Sequence, residues 1–445
     1  MAEKYLSTNP YIGTRDFYPE EMRVRNWFFS IMRKVAESYG YEEILGPILE
    51  PFDVFAAKSG EEIVKEQTYH FTDRGERHMA VRPEMTPTVA RMTAAKLGEL
   101  RMPVRWYSIA NFMRYERPQK GRLREFWQLN LDLLGEKGLA SDYEIVSVAV
   151  SLLKAFGADE SMFKVKINNR RFYNDVMREV LKATPDEMKS ISKAVDKRSK
   201  LPREKYEEWL KESGITQDKI DGLDRIFGMP LKELLGKIPS DSAGGRELNE
   251  LFGLIEKTGL APYCEFDFSI VRGLDYYTGN VFEVNDLNPE NRRALFGGGR
   301  YDNLIGLFKN AEVSGIGFGF GDVTFQNFLE GHGLIPPEVH NNETVLITVF
   351  DDVEYAEYIK LSDELREKGI GSVIYSGENK KMGRQFQYAE SAGMDFAVIM
   401  GGDELKAGKA IIKNLSLREQ RETARNETAQ AIFNWRKEKL RNTLT

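Results

Sequence analysis

Cysteine occurs once in this 445-residue chain, at Cys264, so no intramolecular disulfide and no cysteine-rich zinc site can form. Histidine is nearly as scarce: His70, His78, His332 and His340 stand at no ligand spacing to one another or to cysteine and carboxylates. All four are expected to be structural or solvated, none catalytic, and no metal site built from protein ligands is expected. Long apolar runs are missing too. Nowhere do about 18 uninterrupted apolar residues occur, and Met1 to Tyr11 has no apolar core of signal-peptide length. A membrane span and export are therefore not expected, and a reducing, cytoplasmic compartment fits best. Internal repeats and low-complexity stretches are absent as well. A net charge of -6 argues against nonspecific coating of DNA, although a whole-chain sum can hide a local basic surface that steers a polyanion.

What the chain does contain is ordinary globular material, 41% hydrophobic and 30% charged, which places it outside the compositions that stay disordered. At roughly 150 residues per domain, its length predicts about three units. Apolar residues at Met22, Val24, Trp27, Phe28, Ile31, Met32, Val35 and Tyr39 recur close to a 3.6-residue period ahead of Gly40, which predicts an amphipathic helix from Pro19 to Tyr39. Two β-rich runs follow, Val104 to Glu116 and Phe126 to Leu134, read as an antiparallel pair around a long loop. Between about Asp159 and Gly259, Lys, Glu, Leu and Ile at helical spacing predict a helical insertion. Strand signals return from Glu265 to Val284, then a glycine turn is expected at Gly297 to Gly299. Glycines at 315, 317, 319 and 321 lead into a helix. The Gly- and Pro-bearing stretch Gly331 to Glu343 reads as a connection, and beyond it Val345 to Phe350, Gly371 to Tyr375 and Phe396 to Met400 alternate with helices as a small α/β domain.

Local charge is most informative between Arg101 and Arg124, where seven basic residues (Arg101, Arg105, Arg114, Arg117, Lys120, Arg122, Arg124) face one acidic residue, Glu116. Such a hairpin suits phosphate groups. Period-two alternation would put Arg114 and Glu116 on one face, a guanidinium for phosphate oxygens beside a carboxylate that accepts from an amino group, a pairing that suits ATP. On the second run Gln128, Asn130 and Asp132 share one face, and Trp127, Leu129, Leu131 and Leu133 the other, so one face packs and the other can bind.

The run Phe112-Met-Arg-Tyr-Glu-Arg-Pro-Gln-Lys-Gly-Arg-Leu-Arg-Glu-Phe-Trp-Gln128 resembles motif 2 of class II aminoacyl-tRNA synthetases in its histidyl form. Arg272-Gly-Leu-Asp-Tyr-Tyr-Thr-Gly279 and Gly297-Gly-Gly-Arg-Tyr-Asp302 resemble the two signatures of the histidyl enzymes, and Gly13-Thr-Arg-Asp-Phe-Tyr-Pro19 with the helix after it looks like their dimer-forming motif 1. The resemblance covers essentially the whole chain. It implies an α+β protein: a class II antiparallel-sheet catalytic domain at 1–158 and 260–330, a helical insertion at 159–259, a linker at 331–343 and an anticodon-binding α/β domain at 344–445. It further implies activation of L-histidine with ATP and Mg²⁺ to histidyl-adenylate, transfer of the histidyl group to the 3′ end of tRNA(His), and a homodimer.

Carried over position by position, the resemblance implies that Arg114 grips the ATP α-phosphate, Glu116 the adenine amino group and Arg122 the outer phosphates. It sets Glu84 and Thr86, within Arg82-Pro-Glu-Met-Thr86, with Gln128 on the histidine α-amino group, and Asp132 and Tyr277 on the imidazole, with Tyr276 and Tyr301 lining the pocket. Arg272 is implied beside the substrate carboxylate and α-phosphate as a fixed transition-state charge, and Arg117 and Gln119 at the acceptor end of tRNA. Two positions depart from the family. Most class II enzymes end their third motif in Gly-x-Glu-Arg, where this chain has Gly321-Asp-Val-Thr324, and Asp132 stands where many bacterial members have glutamate. The alternative reading is the noncatalytic histidine-binding regulatory subunit of ATP phosphoribosyltransferase, which generally lacks an anticodon domain and keeps the two signatures poorly. A synthetase for glycine, threonine or proline would lack a carboxylate suited to imidazole.

Overall fold

Alternating and β-branched segments in the first 335 residues assemble into two sheets because each has one face to bury. The computed structural model describes residues 6–56, 63–198, 201–271, 276–291 and 293–443. In chain order the strands are β1 (Glu42–Glu43), β2 (Leu49–Pro51), β3 (His70–Thr72), β4 (His78–Val81), β5 (Val104–Met113), β6 (Glu125–Leu134), β7 (Phe163–Asn169), β8 (Cys264–Phe266), β9 (Asn280–Asp286), β10 (Ala294–Tyr301) and β11 (Gly315–Gly321). β2, β4 and β3 form a small antiparallel sheet, and the others an eight-stranded sheet in the order β1-β5-β6-β11-β10-β9-β7-β8. From β5 to β7 every pairing in the large sheet is antiparallel, and only the edge strands β1 and β8 pair in parallel.

The helices of this part are α1 (Pro19–Ser38), α2 (Asp53–Ala56), α3 (Thr86–Lys96), α4 (Leu139–Ala155), α5 (Arg170–Glu179), α6 (Pro185–Lys197), α7 (Arg203–Glu212), α8 (Gln217–Phe227), α9 (Leu231–Leu235), α10 (Ala243–Lys257) and α11 (Asp322–Gly331). α1 stops before Gly40, whose φ of 80° ends a helix without strain. Short polar caps start others: Asn169 accepts from the Arg171 and Phe172 amides ahead of α5, and Thr184 with Glu187 forms a capping box on α6. One face of the large sheet is apolar. Leu129, Leu131 and Leu133 are fully buried there, and Phe320 stacks edge-on against Phe325 of α11 at 4.6 Å. Burying each such leucine contributes about 1.5–3 kcal/mol, enough to hold the sheet against its helices and leave the opposite face for binding.

Three local expectations are corrected. Gly297 to Gly299 is no turn; it lies inside β10, paired on both sides, since a strand flanked by two others needs no side chains of its own there to be buried. β5 ends at Met113, and the Glu116 amide then donates to the Arg114 carbonyl at 2.7 Å, a tight turn that ends the alternation and sends Arg114 and Glu116 to different partners. The stretch 159–259 is not wholly helical: Phe163–Asn169 alternates buried and half-buried positions as β7 and joins the large sheet.

A second compact unit takes residues 17–25 with 336–445, while 1–16 with 26–335 make the first. Its strands are β12 (Asn342–Ile347), β13 (Ser372–Ile374), β14 (Met394–Ile399), β15 (Lys409–Asn414) and β16 (Glu419–Ala424), in the order β13-β12-β14-β15-β16, with helices α12 (Tyr355–Glu367), α13 (Met382–Ser391), α14 (Gly402–Lys406) and α15 (Thr428–Thr443). β13, β12 and β14 are parallel, as the βαβ spacing predicts, and Val345, Leu346 and Ile347 are fully buried at their centre. The antiparallel hairpin β15–β16 was not foreseen from the sequence; the exposed, charged run of β16 carries no buried face to announce it.

Candidate active site

Directly opposed residues in antiparallel strands share a face, so register alone assembles the open side of the large sheet. Gln128, Asn130 and Asp132 on β6 oppose Gly321, Gly319 and Gly317 on β11, and Gly319, Gly317 and Gly315 of that row oppose Gly297, Gly299 and Tyr301 on β10. A polar row therefore stands beside a floor with almost no side chains. The floor has to be glycine: a Cβ at Gly317 would sit 2.3 Å from the Leu131 carbonyl and 2.8 Å from Asp132 Oδ1, and one at Gly315 would lie 2.4 Å from the Tyr301 ring. Small residues here leave a trough whose walls carry the chemistry.

At one end of the trough Asp132 is almost fully buried and accepts a hydrogen bond from the Tyr301 hydroxyl. Burial pushes its carboxyl up to about 7, against the opposing pull of that hydrogen bond. Burial and the neighbouring Asp132 carboxylate in turn drive the Tyr301 phenol well above its ordinary value, so it remains a donor. Tyr276 sits 5.9 Å from the Tyr301 ring and 4.8 Å from that of Tyr277, and its hydroxyl donates to Glu84 Oε2 at 3.2 Å. Glu84, Tyr276, Tyr277, Tyr301 and Asp132 thus form one contiguous, buried acidic pocket. Two carboxylates and three phenols suit a small cationic ligand that offers several N–H donors.

The loop that carries Glu84 is held by Arg82. Its guanidinium donates to the Gly46 carbonyl and the Asn111 carbonyl, both at 2.8 Å, and to Asn111 Oδ1 at 3.1 Å, and α3 starts at Thr86, two residues after Glu84. Arg114 is tied to the same loop, donating from Nε to the Pro83 carbonyl at 2.9 Å while its guanidinium lies over the Phe126 ring at 5.3 Å. Farther along the hairpin Glu116 pairs with Arg122 at 2.9 Å. Gln119 and Arg122 exchange both backbone hydrogen bonds across the hairpin tip, and Arg117 and Gln119 are exposed there. Arg114 and Glu116 thus reach the site from a turn rather than from one strand face. Arg272 lies outside the described residues.

The sequence puts Asn130 on the binding face without giving it a role, and it does not reveal the role of Arg300 at all. Asn130 is almost fully buried on the binding face, and its Nδ2 has no hydrogen-bond partner among the described residues, a donor held ready for a ligand. Its place between Gln128 and Asp132 was the available signal. Arg300, inside the Gly297 to Asp302 signature, points away from the trough: it donates to Asp142 at 3.1 Å, to Ser141 Oγ at 2.6 Å and to Ser314 Oγ at 2.5 Å. Ser314 Oγ and Thr278 Oγ1 each donate to Asp302 at 2.6 Å. Half of that signature is therefore a polar buttress beneath the pocket, a role that no spacing reveals.

An antiparallel sheet with an open polar and glycine-floored face, entered by a basic hairpin, is the catalytic fold of a class II aminoacyl-tRNA synthetase. The family described as histidyl-tRNA synthetase matches residues 13–321, and the anticodon binding domain matches residues 343–435. A histidine–tRNA ligase of Leptospira biflexa is 45% identical over 441 residues, covering 97% of this chain and 99% of the relative. Among solved structures, the histidyl-tRNA synthetase of Nostoc sp. PCC 7120 superposes with a TM-score of 0.82 at 25% identity, covering 97% of this chain and all of that one. A Bacillus halodurans chain described as an ATP phosphoribosyltransferase regulatory subunit/histidyl-tRNA synthetase shares the fold at a TM-score of 0.73 and 22% identity, covering 90% of this chain and all of that one. The chain belongs to the histidyl-tRNA synthetase family.

Proposed function

We infer that this chain is a histidine–tRNA ligase that carries out both steps on the open face of its large sheet. In the first, the histidine carboxylate attacks the α-phosphorus of ATP, the P–O bond to the β-phosphate breaks, and pyrophosphate leaves. In the second, a terminal ribose hydroxyl of tRNA(His) attacks the acyl carbon and AMP leaves. The observation that carries the site assignment is the buried Asp132–Tyr301–Tyr276–Glu84 pocket beside the glycine floor. In this reading Asp132 and Tyr277 meet the imidazole, Tyr276 and Tyr301 line its pocket, and Glu84, Thr86 and Gln128 take the α-ammonium. Arg114 holds the α-phosphate, Glu116 the adenine amino group and Arg122 the outer phosphates. Catalysis is then positioning and charge stabilisation, with no protein nucleophile.

Arg272 is assigned to the transition-state charge, Arg117 and Gln119 to the acceptor end of tRNA, residues 159–259 to an insertion and 344–445 to anticodon binding. Mg²⁺ held with the ATP phosphates would supply positive charge to the outer phosphates. Glu283, which register places opposite Gly297 on the open face, offers the hard oxygen donor this ion takes. A homodimer in the cytoplasm completes the proposal, and no described helix is long and apolar enough to cross a membrane. The regulatory-subunit alternative is the less supported one, because the anticodon binding domain matches residues 343–435. Histidine-dependent exchange of labelled pyrophosphate into ATP tests the whole: exchange with histidine and none of the other amino acids is expected, and a folded chain that binds histidine without exchange would overturn it.

A further inference from the structure

Arg293 stands one residue ahead of β10, half-buried, and makes no hydrogen bond or ion pair with any described residue. Its side chain lies along the basic hairpin. A Cβ added at Gly121, which holds a φ of 78°, would meet Arg293 Cδ at 3.3 Å, Arg293 Nε at 3.9 Å and Thr324 Cγ2 at 3.6 Å. Arg293, Gly121 and Thr324 are therefore packed together, at the position where the chain departs from the usual third motif. Thr324 is occupied in another way, its hydroxyl donating to the Leu295 carbonyl at 2.8 Å. That bond pins the first turn of α11 to the start of β10, two residues beyond Arg293, and so fixes where the Arg293 side chain emerges.

The charges around Arg293 do not balance. Arg122 repels it and Glu116 attracts it, but Glu116 is already paired with Arg122 at 2.9 Å, so two guanidiniums share one carboxylate. Burial and Arg122 both act to depress the Arg293 ionisation, although a guanidinium stays charged at any working pH. A partly desolvated cation without a counter-ion is costly to hold, and it becomes favourable when a multiply charged anion arrives between the two guanidiniums. Planar forks of this kind match phosphate oxygens in pairs.

We propose that Arg293 is a phosphate-binding residue of the ATP site, which closes on the outer phosphates together with Arg122 and supplies the guanidinium that the start of α11 lacks. This rests on reading the basic hairpin as the ATP site. The test is pyrophosphate exchange by the full-length chain and its Arg293→Gln variant, without tRNA. Arg293→Gln is expected to raise KM for ATP about tenfold or more, the loss of one charge-assisted contact, while KM for histidine moves less than twofold. Arg293→Lys, which keeps the stem and the charge, should recover part of the loss and so separates lost charge from lost packing. Thr324→Arg in the Arg293→Gln background should also lower KM for ATP again, because both side chains flank Gly121 of the hairpin. An unchanged KM for ATP in Arg293→Gln sinks the proposal, as does an effect confined to KM for tRNA in charging assays, which would assign the guanidinium to tRNA phosphates. Absence of exchange in the wild type would instead remove the ATP site itself, and the proposal with it.

Discussion

Asp132 determines how the proposed histidine pocket responds to pH. With its carboxyl raised to about 7 and an imidazole near its ordinary value of about 6.5, the productive complex needs one proton shared between them. Below about 6.5 both groups are protonated, and above about 7 neither is, so kcat/KM for histidine should form a bell centred just below neutrality. Asp132→Asn should lower kcat/KM and abolish the alkaline fall between pH 7 and 8.5, leaving only a rise as the imidazole loses its proton; a bell retained in that variant would remove Asp132 from the site. Tyr301→Phe deletes the hydrogen bond that holds the carboxyl down, so the alkaline limb should move to higher pH. The sign for stability is opposite to that of an ion-paired carboxylate. Because the folded value lies above the unfolded 3.8, the Asp132 contribution is fully present below about pH 4 and is lost as pH rises through about 7.

At the scale of elements, β10 and β11 act as a pair: one supplies the glycine floor and the other the buttress beneath it. Gly317→Ala would drive a Cβ to 2.8 Å from Asp132 Oδ1 and 2.3 Å from the Leu131 carbonyl. The expected cost is roughly 1–3 kcal/mol of stability, with histidine affinity falling more than ATP affinity, as read by thermal melting and calorimetric titration. If affinity for histidine were unchanged, the trough would not be the histidine site. Arg300→Ala leaves the buried Asp142 without its cation, and a loss of about 3–5 kcal/mol is expected in urea unfolding. A loss below about 1 kcal/mol would mean that the buttress carries little load. The helices between β7 and β8 bury apolar faces of their own, with Leu210, Leu223 and Ile226 at no more than 1% exposure, so they form a packed body and not a loose excursion.

For the whole molecule, each unit carries its own buried core, around Val345–Ile347 in one and around Phe112, Leu134 and Tyr301 in the other. Separate cores suit separate tasks, adenylation and tRNA selection. Arg418 in the second unit is exposed at the turn between β15 and β16, with a φ of 57°. Arg418→Glu should lower kcat/KM for tRNA in charging by about tenfold, the size of one lost phosphate contact, while leaving pyrophosphate exchange untouched. Equal effects on both assays would point to misfolding instead. Light scattering should return twice the chain mass, and a stable, active monomer would overturn the proposed homodimer.

Local chemistry was legible from the residues alone wherever it repeats with a short period or sits in an unbroken run. The amphipathic α1, the paired β5 and β6, the polar face of Gln128, Asn130 and Asp132, and the parallel strands β12 to β14 all follow from period 3.6 or 2. The seventeen-residue hairpin motif from Phe112 to Gln128 and the histidyl signatures likewise carried the family without any fold. Tertiary structure decided what no period encodes. Glycines at 297 to 299 look like a turn until neighbouring strands claim them on both sides, and Phe163–Asn169 becomes a strand because β9 and β8 pair with it from either side. Arg300 and Tyr301 are adjacent in sequence, yet one braces the sheet and the other faces the trough, since strand side chains alternate and only the assembled sheet says which face is inside. The placement of Arg293 beside Gly121 and Thr324 came from the fold alone, because it joins segments more than 170 and 30 residues apart in the chain, a distance across which sequence pattern exerts no pull and packing does.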